Sequence, residues 1–319
     1  MSSSLPPSSG PSSLPRDRAT GALPSPLLAW FFVSAWGCGY IASKTGLQFT
    51  APFTFLTLRF AFGLLLLVPL AWWWQRQQPL RWPASRDEWV HVIVAGLLMH
   101  AANLGASHYA QYLGMSAGVT ALILATQPLV TAFIAAALMG ERLRRFQWLG
   151  VVVGLIGVAL VVWHKIDVRA ITLPALLAVL SALTAITIGT LYQRHYCPQV
   201  DLRSASVVQF SATLVAVAPL AVAVEGFEVR WDWALLGAIA FLVIFSSILG
   251  VNALHTLMRR GEATRVTSLL YLTPIFAVAL EWMLFSVVPT ALTGLGIAVT
   301  CAGVALVAWQ PRRREEAQR

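Results

Sequence analysis

The longest uncharged stretch of this chain decides its class. From Trp89 to Gly140 there is no Asp, Glu, Lys or Arg. A membrane-spanning α-helix needs roughly 20 apolar residues, so this stretch has room for two such helices and a turn. Over the whole chain 58% of the residues are hydrophobic and the mean hydropathy is +0.72. Because a soluble fold could not bury so much apolar surface, the sequence predicts a polytopic membrane protein.

Ten charge-poor stretches of this kind follow one another and predict an all-α membrane protein with ten transmembrane helices. Each stretch is about 20 residues long, whereas a barrel strand needs only about 10 alternating residues. Hydrocarbon offers no hydrogen-bond partners to the backbone, whereas a helix satisfies its backbone groups within its own segment. The predicted spans, numbered 1 to 10, are 27–47, 53–74, 89–107, 115–139, 146–163, 172–193, 204–224, 233–255, 266–286 and 289–309.

The two ends of the chain have a different composition from the spans. Residues 1–25 are rich in Ser and Pro and cannot form a packed core, so we expect a disordered cytosolic tail. A secretory signal peptide is the competing interpretation, but the apolar segment begins late and is too long for one. Residues 310–319 form a basic tail, which we also expect in the cytosol.

Basic residues predict the orientation of the spans. They concentrate in the connections 2–3, 4–5, 6–7 and 8–9 and in both tails, whereas the odd-numbered connections hold only Lys44, Lys165, Arg169 and Arg230. The positive-inside rule therefore places both termini in the cytoplasm. Topology also explains the net charge of +9, since charges scattered over short loops make no basic face for nucleic acid.

The second half of the sequence repeats the first. An offset of 146 residues places Tyr112–Trp163 on Met258–Trp309 without a gap, and 157–161 and 303–307 are identical. An offset of 150 places Phe60 on Phe210. Five spans per half is an odd number, so the two halves enter the membrane from opposite sides. Inverted repeats of this kind are typical of secondary transporters, which bind their substrate between the halves.

Short motifs in a fixed order identify a family resemblance. They are Ala35-Trp36-Gly37, Leu58-Arg59-Phe60, Gln127-Pro128, Gly140-Glu141-Arg142-Leu143 and Gln147-Trp148-Leu149-Gly150. On these motifs the chain resembles the EamA branch of the drug/metabolite transporter superfamily over about 27–309. The resemblance implies two inverted five-helix EamA repeats, at 26–163 and 172–309, around a cavity lined mostly by spans 1, 3, 4, 6, 8 and 9. It departs from the family where Val287 replaces the counterpart of Glu141, while an acid, Glu281, lies inside span 9.

Polar and aromatic side chains within the apolar spans are the candidates for the substrate cavity. Each of them is more often a hydrogen bond between helices than a ligand contact, but as a set they are predicted to meet near the midplane. The candidates are Trp36, Tyr40, His100, Asn103, Gln127, Tyr192, Asn252 and Tyr271.

Three charged residues in or near the spans, Lys44, Arg59 and Glu281, are the candidates for gating or coupling. Burying a charge in the bilayer costs at least ~2.5 kcal/mol, so such residues are functional candidates by default. At a rise of about 1.5 Å per residue, all three fall in the outer leaflet. We therefore predict that Glu281 pairs with Lys44 or Arg59 and helps to close the outer side. The alternatives are snorkelling of the basic side chains and proton transfer by Glu281.

Prolines and glycines repeat in the two halves as candidate hinge and packing residues. Pro128 and Pro274 fall on each other at the offset of 146, and each removes a backbone hydrogen bond. Small residues in spans 5 and 10 allow close helix contact. The glycines concerned are Gly150, Gly154, Gly157, Gly296 and Gly303.

These observations predict a multi-pass transporter of the bacterial inner membrane. It moves a small organic metabolite by alternating access, with export of amino acids or related compounds favoured by the resemblance. We expect no covalent chemistry, no cofactor and no metal. Protons are the candidate coupling ion, and a monomer or a weak homodimer is expected. The alternative is an integral membrane enzyme acting on a lipid, although no nucleophile, carboxylate cluster or metal motif supports it.

Overall fold

The structure is a computed structural model that describes residues 25–77, 79–138, 145–167, 171–250, 253 and 272–308. Apart from one isolated bridge between Thr50 and Val229, all regular structure in these ranges is helical. The α-helices are α1 (Ser25–Gly46), α2 (Pro52–Gln77), α3 (Arg86–Gly96), α4 (Asn103–Tyr112), α5 (Ala117–Leu124), α6 (Gln127–Leu138), α7 (Arg145–Asp167), α8 (Leu173–Tyr196), α9 (Leu202–Glu225), α10 (Trp233–Phe241), α11 (Thr273–Phe285) and α12 (Ala291–Ala308).

Seven helical stretches of the described chain are long and apolar enough to cross a membrane. They are Pro52–Gln77, Arg86–Tyr112, Ala117–Ile134, Arg145–Trp163, Leu173–Tyr196, Leu202–Glu225 and Trp233–Gly250. Two shorter apolar helices, Thr273–Phe285 and Ala291–Val307, follow them. The prediction of an all-helical multi-pass membrane protein is confirmed. The number of ten stays a prediction, because part of span 9, like both tails, lies outside the described residues.

Side chains in the connections fix where several helices begin. Ser85, Ser116, Thr172, Asp201 and Asp232 each accept a hydrogen bond from a backbone N–H in the first turn that follows. Such caps satisfy amides that have no partner inside the helix. Each start therefore lies within a few residues of the start predicted for its span.

Spans 3 and 8 are each interrupted by a π-helical segment. Residues 97–102 separate α3 from α4, and residues 242–250 follow α10 directly. The offset of 146 that relates the two halves places the first segment inside the second. Span 4 is interrupted as well, since α5 ends at Leu124 and α6 begins at Gln127, next to Pro128. Pro274 similarly occupies the first turn of α11.

Helices α7 and α12 pack closely and run in opposite directions. A Cβ atom added to Gly150 would lie 2.5 Å from the carbonyl oxygen of Gly303, and one added to Gly296 would lie 2.7 Å from that of Gly157. Between these contacts the hydroxyl of Thr300 donates to the Gly296 carbonyl at 2.7 Å. No larger side chain fits at these positions, so the glycines set the distance between the two backbones.

Helices α2 and α9 form a second antiparallel pair. The rings of Phe60 and Phe210, equivalent at the offset of 150, lie 4.8 Å apart in an edge-to-face contact. Leu56, Leu67 and Val217 extend this buried cluster along the two helices. The opposite faces of both helices expose large apolar side chains, as expected of surfaces that contact lipid.

Candidate functional site

The carboxylate of Glu281 joins three helices at one end of the bundle. Its Oε1 accepts from the ammonium of Lys44 at 2.5 Å and from the backbone N–H of Ala117 at 2.9 Å. Its Oε2 accepts from the N–H of Gly118 at 2.9 Å. A carboxylate on these amides stabilises the positive end of the α5 dipole, while Lys44 balances the charge. Glu281 thereby ties α1 and α5 to α11.

Burial makes this ion pair asymmetric. The Glu281 side chain is 3% exposed, whereas that of Lys44 is 23% exposed and lies over the ring of Phe285. The acid therefore depends on its hydrogen-bond donors, since it has almost no access to solvent. The prediction that Glu281 pairs with Lys44 or Arg59 is confirmed for Lys44. Arg59 forms no ion pair with this acid.

A second carboxylate, Glu225, caps another helix at the same end. Its two oxygens accept from the backbone N–H groups of Phe53 and Thr54 at 2.9 and 2.7 Å, and from the Thr54 hydroxyl at 2.8 Å. Glu225 is the last residue of α9, whereas the amides belong to the first turn of α2. The sequence analysis missed this residue, because an acid at the end of a span looks like an ordinary loop charge.

The connections beside Glu225 are also bonded to each other. Thr50 forms the isolated bridge with Val229, and its hydroxyl donates to the carbonyl of Glu228 at 2.8 Å. The backbone N–H of Arg230 donates to the carbonyl of Phe49 at 3.0 Å. The connection between spans 1 and 2 is thus fastened to the connection between spans 7 and 8. Together with the two carboxylates, it fastens the helices to each other at this end of the bundle.

Three of the predicted residues lie among the helices without being fully buried. Tyr40, Arg59 and His100 come from spans 1, 2 and 3, and each keeps part of its surface accessible. A role in a substrate cavity or in coupling stays a prediction for each of them.

Other predicted cavity residues form hydrogen bonds between helices. His100 contacts the Gln209 side chain at 3.3 Å, and Gln127 donates to the Thr190 hydroxyl at 3.2 Å. The Tyr192 hydroxyl lies 2.7 Å from a ring nitrogen of His91 on α3. These contacts connect spans 3, 4 and 6 with their neighbours. A role in substrate binding stays a prediction for each of them.

The remaining predicted residues are distributed between surface, core and undescribed segments. Trp36 is 37% exposed and packs on Phe32, with ring centroids 5.3 Å apart. Asn103 is buried and donates to the Met99 carbonyl. Asn252 and Tyr271, like Glu141, lie outside the described residues.

Two buried polar residues of α4 were not among the predicted site residues. His108 is 2% exposed with its ring 5.4 Å from that of Phe55, and Gln111 is 7% exposed. Neither the Nδ1 atom of His108 nor the Oε1 atom of Gln111 has a hydrogen-bond partner in the part of the chain that the structure describes. The signal available in the sequence was their spacing, which places both on the side of the helix that carries His100.

Within the described ranges, no three His, Cys, Asp or Glu residues are grouped so that they could hold a metal ion. The carboxylates of Glu281 and Glu225 instead fasten helices together. Helices that are long and apolar enough to cross a membrane define a multi-pass membrane protein. The chain belongs to the EamA-like transporter family, whose profile matches residues 24–163 and 172–309. It is therefore of the drug/metabolite transporter type, as the sequence motifs indicated.

Related proteins from several bacteria carry transporter names. The inner membrane transporter YedA of Escherichia coli K12 is 25% identical over 273 residues, covering 85% of this chain and 86% of that protein. A probable amino-acid metabolite efflux pump of Salmonella typhimurium is 25% identical over 290 residues, covering 87% and 92%. One crystal structure, of a protein 18% identical, superposes with a TM-score of 0.63 and covers 88% of this chain and 95% of that one. This last likeness concerns the fold.

Proposed function

We propose that the protein exports amino acids or related small metabolites across the bacterial inner membrane by alternating access. Its two five-helix halves, inserted in opposite directions, expose a site between them first to one side and then to the other. The observation that carries the proposal is that equivalent helices of the two halves pack against each other in antiparallel pairs.

The glycine contacts between α7 and α12 support this symmetry in detail. At the offset of 146, Gly150 corresponds to Gly296 and Gly157 to Gly303. The close approach of Gly150 to Gly303 is therefore repeated, with the partners exchanged, by that of Gly157 to Gly296. Exchange of this kind is what a twofold axis produces. The Phe60–Phe210 contact joins equivalent residues of α2 and α9 in the same manner.

The contacts of Glu281 and Glu225 at one end of the bundle support a gate. Lys44 and Glu281 hold α1, α5 and α11 together, while Glu225 holds α2 to α9. From the distribution of basic residues we place this end on the outside, and we infer that these contacts close it there. Export then requires the Lys44–Glu281 contact to break. Protonation of Glu281 in the open state would remove its charge and provide a route for proton coupling.

The proposed substrate class rests on the relatives and on the side chains predicted to line the cavity. Relatives named as probable amino-acid metabolite efflux pumps match this chain over most of its length. Tyr40 and His100, which keep accessible surface among the helices, offer aromatic and polar groups that suit a small amphipathic molecule. No covalent step is needed.

The test combines binding with transport. The purified full-length protein is screened by thermal shift against the 20 common amino acids, since a ligand that binds only the folded state raises its melting temperature. Each amino acid that binds is then used as a radiolabelled probe for counterflow in proteoliposomes. We expect accumulation above that of protein-free vesicles. Turnover of a bilayer lipid without any solute movement would contradict the proposal and favour the membrane enzyme.

A further inference from the structure

We propose that Arg59 binds a carboxylate group of the transported solute, an inference that rests on the transport function proposed above. The guanidinium is a buried cation whose counterion is not supplied by the described chain. The solute supplies this counterion, so a carboxylate is the group that the transporter requires.

Arg59 lies about 10 Å along α2 from the helix start, at about 1.5 Å per residue. Its one hydrogen bond to the described residues, from Nη2 to the Ser247 hydroxyl, is long at 3.4 Å. Its Nε atom is buried and has no partner among them. A guanidinium has five N–H donors, so most of its capacity is unused. In a membrane interior such a charge is strongly unfavourable unless an anion accompanies it.

Within the described ranges, the buried acids that could balance Arg59 are already engaged. The ion pairs of the described ranges are Lys44–Glu281, Arg81–Glu88 and Arg203–Asp201. Glu281 and Glu225 each accept three hydrogen bonds, from Lys44 and the α5 amides and from the start of α2. Neither can turn toward Arg59 without exposing these donors.

The described neighbours of Arg59 add no negative charge. His100 and His108 lie within electrostatic range of the guanidinium, and the ring of Phe60 is 6.0 Å from it. The helical stretch Arg86–Tyr112, which carries both histidines, also holds most of the other buried polar atoms that have no partner among the described residues, on Asn103, His108 and Gln111. Buried polar groups are normally hydrogen-bonded. Unused donors and acceptors among the helices therefore point to a polar guest.

The chemistry of that guest follows from the geometry of arginine. A planar guanidinium binds a carboxylate through two parallel hydrogen bonds, and the contact is strong where water is excluded. Part of the surface of Arg59 is accessible, so a small anion can reach it. Small organic acids, including amino acids, fit this site. The corresponding amides and amines lack a carboxylate and do not fit this site.

The experiment compares acids with their own amides. Thermal shifts of the full-length protein are measured with L-phenylalanine, L-leucine and L-methionine, with the three amino-acid amides, and with 3-phenylpropionate and 3-phenylpropionamide. Sodium chloride at equal concentration tests for a site that accepts any small anion. We expect the acids to raise the melting temperature and the amides and chloride to leave it unchanged.

Variants assign the effect to Arg59. R59Q should lose the response to acids. R59K, which keeps the charge but not the paired donors, should bind about 10- to 100-fold more weakly. R76Q is the matched control, since Arg76 lies on the same helix, is exposed and stacks on Trp72. It should respond like the unmodified protein. If R59Q does not fold, R59K provides the comparison.

Each contrary result has its own meaning. Equal shifts from amides and acids, a full response in R59Q, an equal shift from chloride, or no response to any acid would each overturn the carboxylate site. Acid binding that depends on Arg59, without movement of any probe in proteoliposomes, would instead contradict the transport function. Transport that persists unchanged in R59Q would leave the transport function intact and show that Arg59 has no part in it.

Discussion

The backbone N–H of Gly118 donates a hydrogen bond to Glu281 Oε2 at 2.9 Å, and a glycine is required for this approach. A Cβ atom at position 118 would lie 2.3 Å from the side chain of Val278, one turn before Glu281 on α11. The start of α5 is thus pressed against α11, where the carboxylate caps it. Closure of this end depends on backbone donors as much as on the Lys44 ion pair.

Glu281→Gln should destabilise the closed end, because the neutral amide leaves Lys44 without its anion and presents an NH₂ group to one of the α5 amides. Removing one member of a buried pair costs on the order of 3–5 kcal/mol. We expect a lower melting temperature and slower counterflow. Glu88→Gln is the control, since its ion pair with Arg81 is long at 3.8 Å and its side chain is 31% exposed. Its effect should stay below about 1 kcal/mol.

The same variant separates the gate from a proton carrier. If Glu281 carries protons, Glu281→Gln retains solute exchange but loses accumulation driven by a pH gradient. Equal transport by the variant and the unmodified protein at every pH would contradict both roles.

A disulfide between positions 50 and 229 should hold the outer end closed. Thr50 and Val229 form the isolated antiparallel bridge, and residues paired in this way have Cα atoms close enough for a disulfide. In a background lacking Cys38, Cys197 and Cys301, Thr50→Cys with Val229→Cys should lose transport on oxidation and regain it on reduction. The two single-cysteine variants are the controls and should keep transport in oxidant. Transport by the fully crosslinked protein would mean that this end does not open.

Gly303→Ala should weaken the packing of α7 on α12. Its Cβ would lie 2.2 Å from the backbone nitrogen of Gly154, so the helices must separate. We expect a loss of about 1–3 kcal/mol, the usual cost of overpacking. Gly294→Ala on the same helix is the matched control, because nothing lies within 4 Å of its added Cβ. Equal melting temperatures for the two variants would contradict the close approach.

Cysteine labelling tests the orientation. In the same cysteine-free background, a membrane-impermeant reagent added from outside should modify Thr290→Cys, between α11 and α12. It should spare Arg86→Cys, at the start of α3. Both positions are exposed, so accessibility of the side chains does not confound the comparison. The reverse labelling pattern would turn the proposed export direction around.

Much of this arrangement could be predicted from the free-energy cost of burying charge and from the repeat in the sequence. Charges within apolar spans are expensive, and this alone suggested a partner for Glu281 that the structure supplies as Lys44. The glycines that bring α7 and α12 together were visible because they repeat at a constant offset. Span limits followed from hydropathy and from the caps.

Other features depend on contacts between distant segments and left no local pattern. Glu225 follows an apolar span like any loop residue, and only the folded chain brings it to the amides of Phe53 and Thr54. The hydrogen bonds of Gln127 and Tyr192 depend on how the helices are rotated about their axes. Hydropathy in uniformly apolar helices does not encode that rotation. The π-helical segments have ordinary apolar sequences, so composition gives no sign of them.

The positions of the two π-helical segments have a mechanical consequence. Their centres lie about 20 Å along the helices that begin at Arg86 and Trp233, close to the middle of a bilayer whose core is about 30 Å thick. A helix that bends there divides into two arms, each of which stays in its own leaflet. Spans 3 and 8 are predicted to begin on opposite sides of the membrane. Bending at both segments would move the arms in one leaflet, while the arms in the other leaflet keep their lipid contacts.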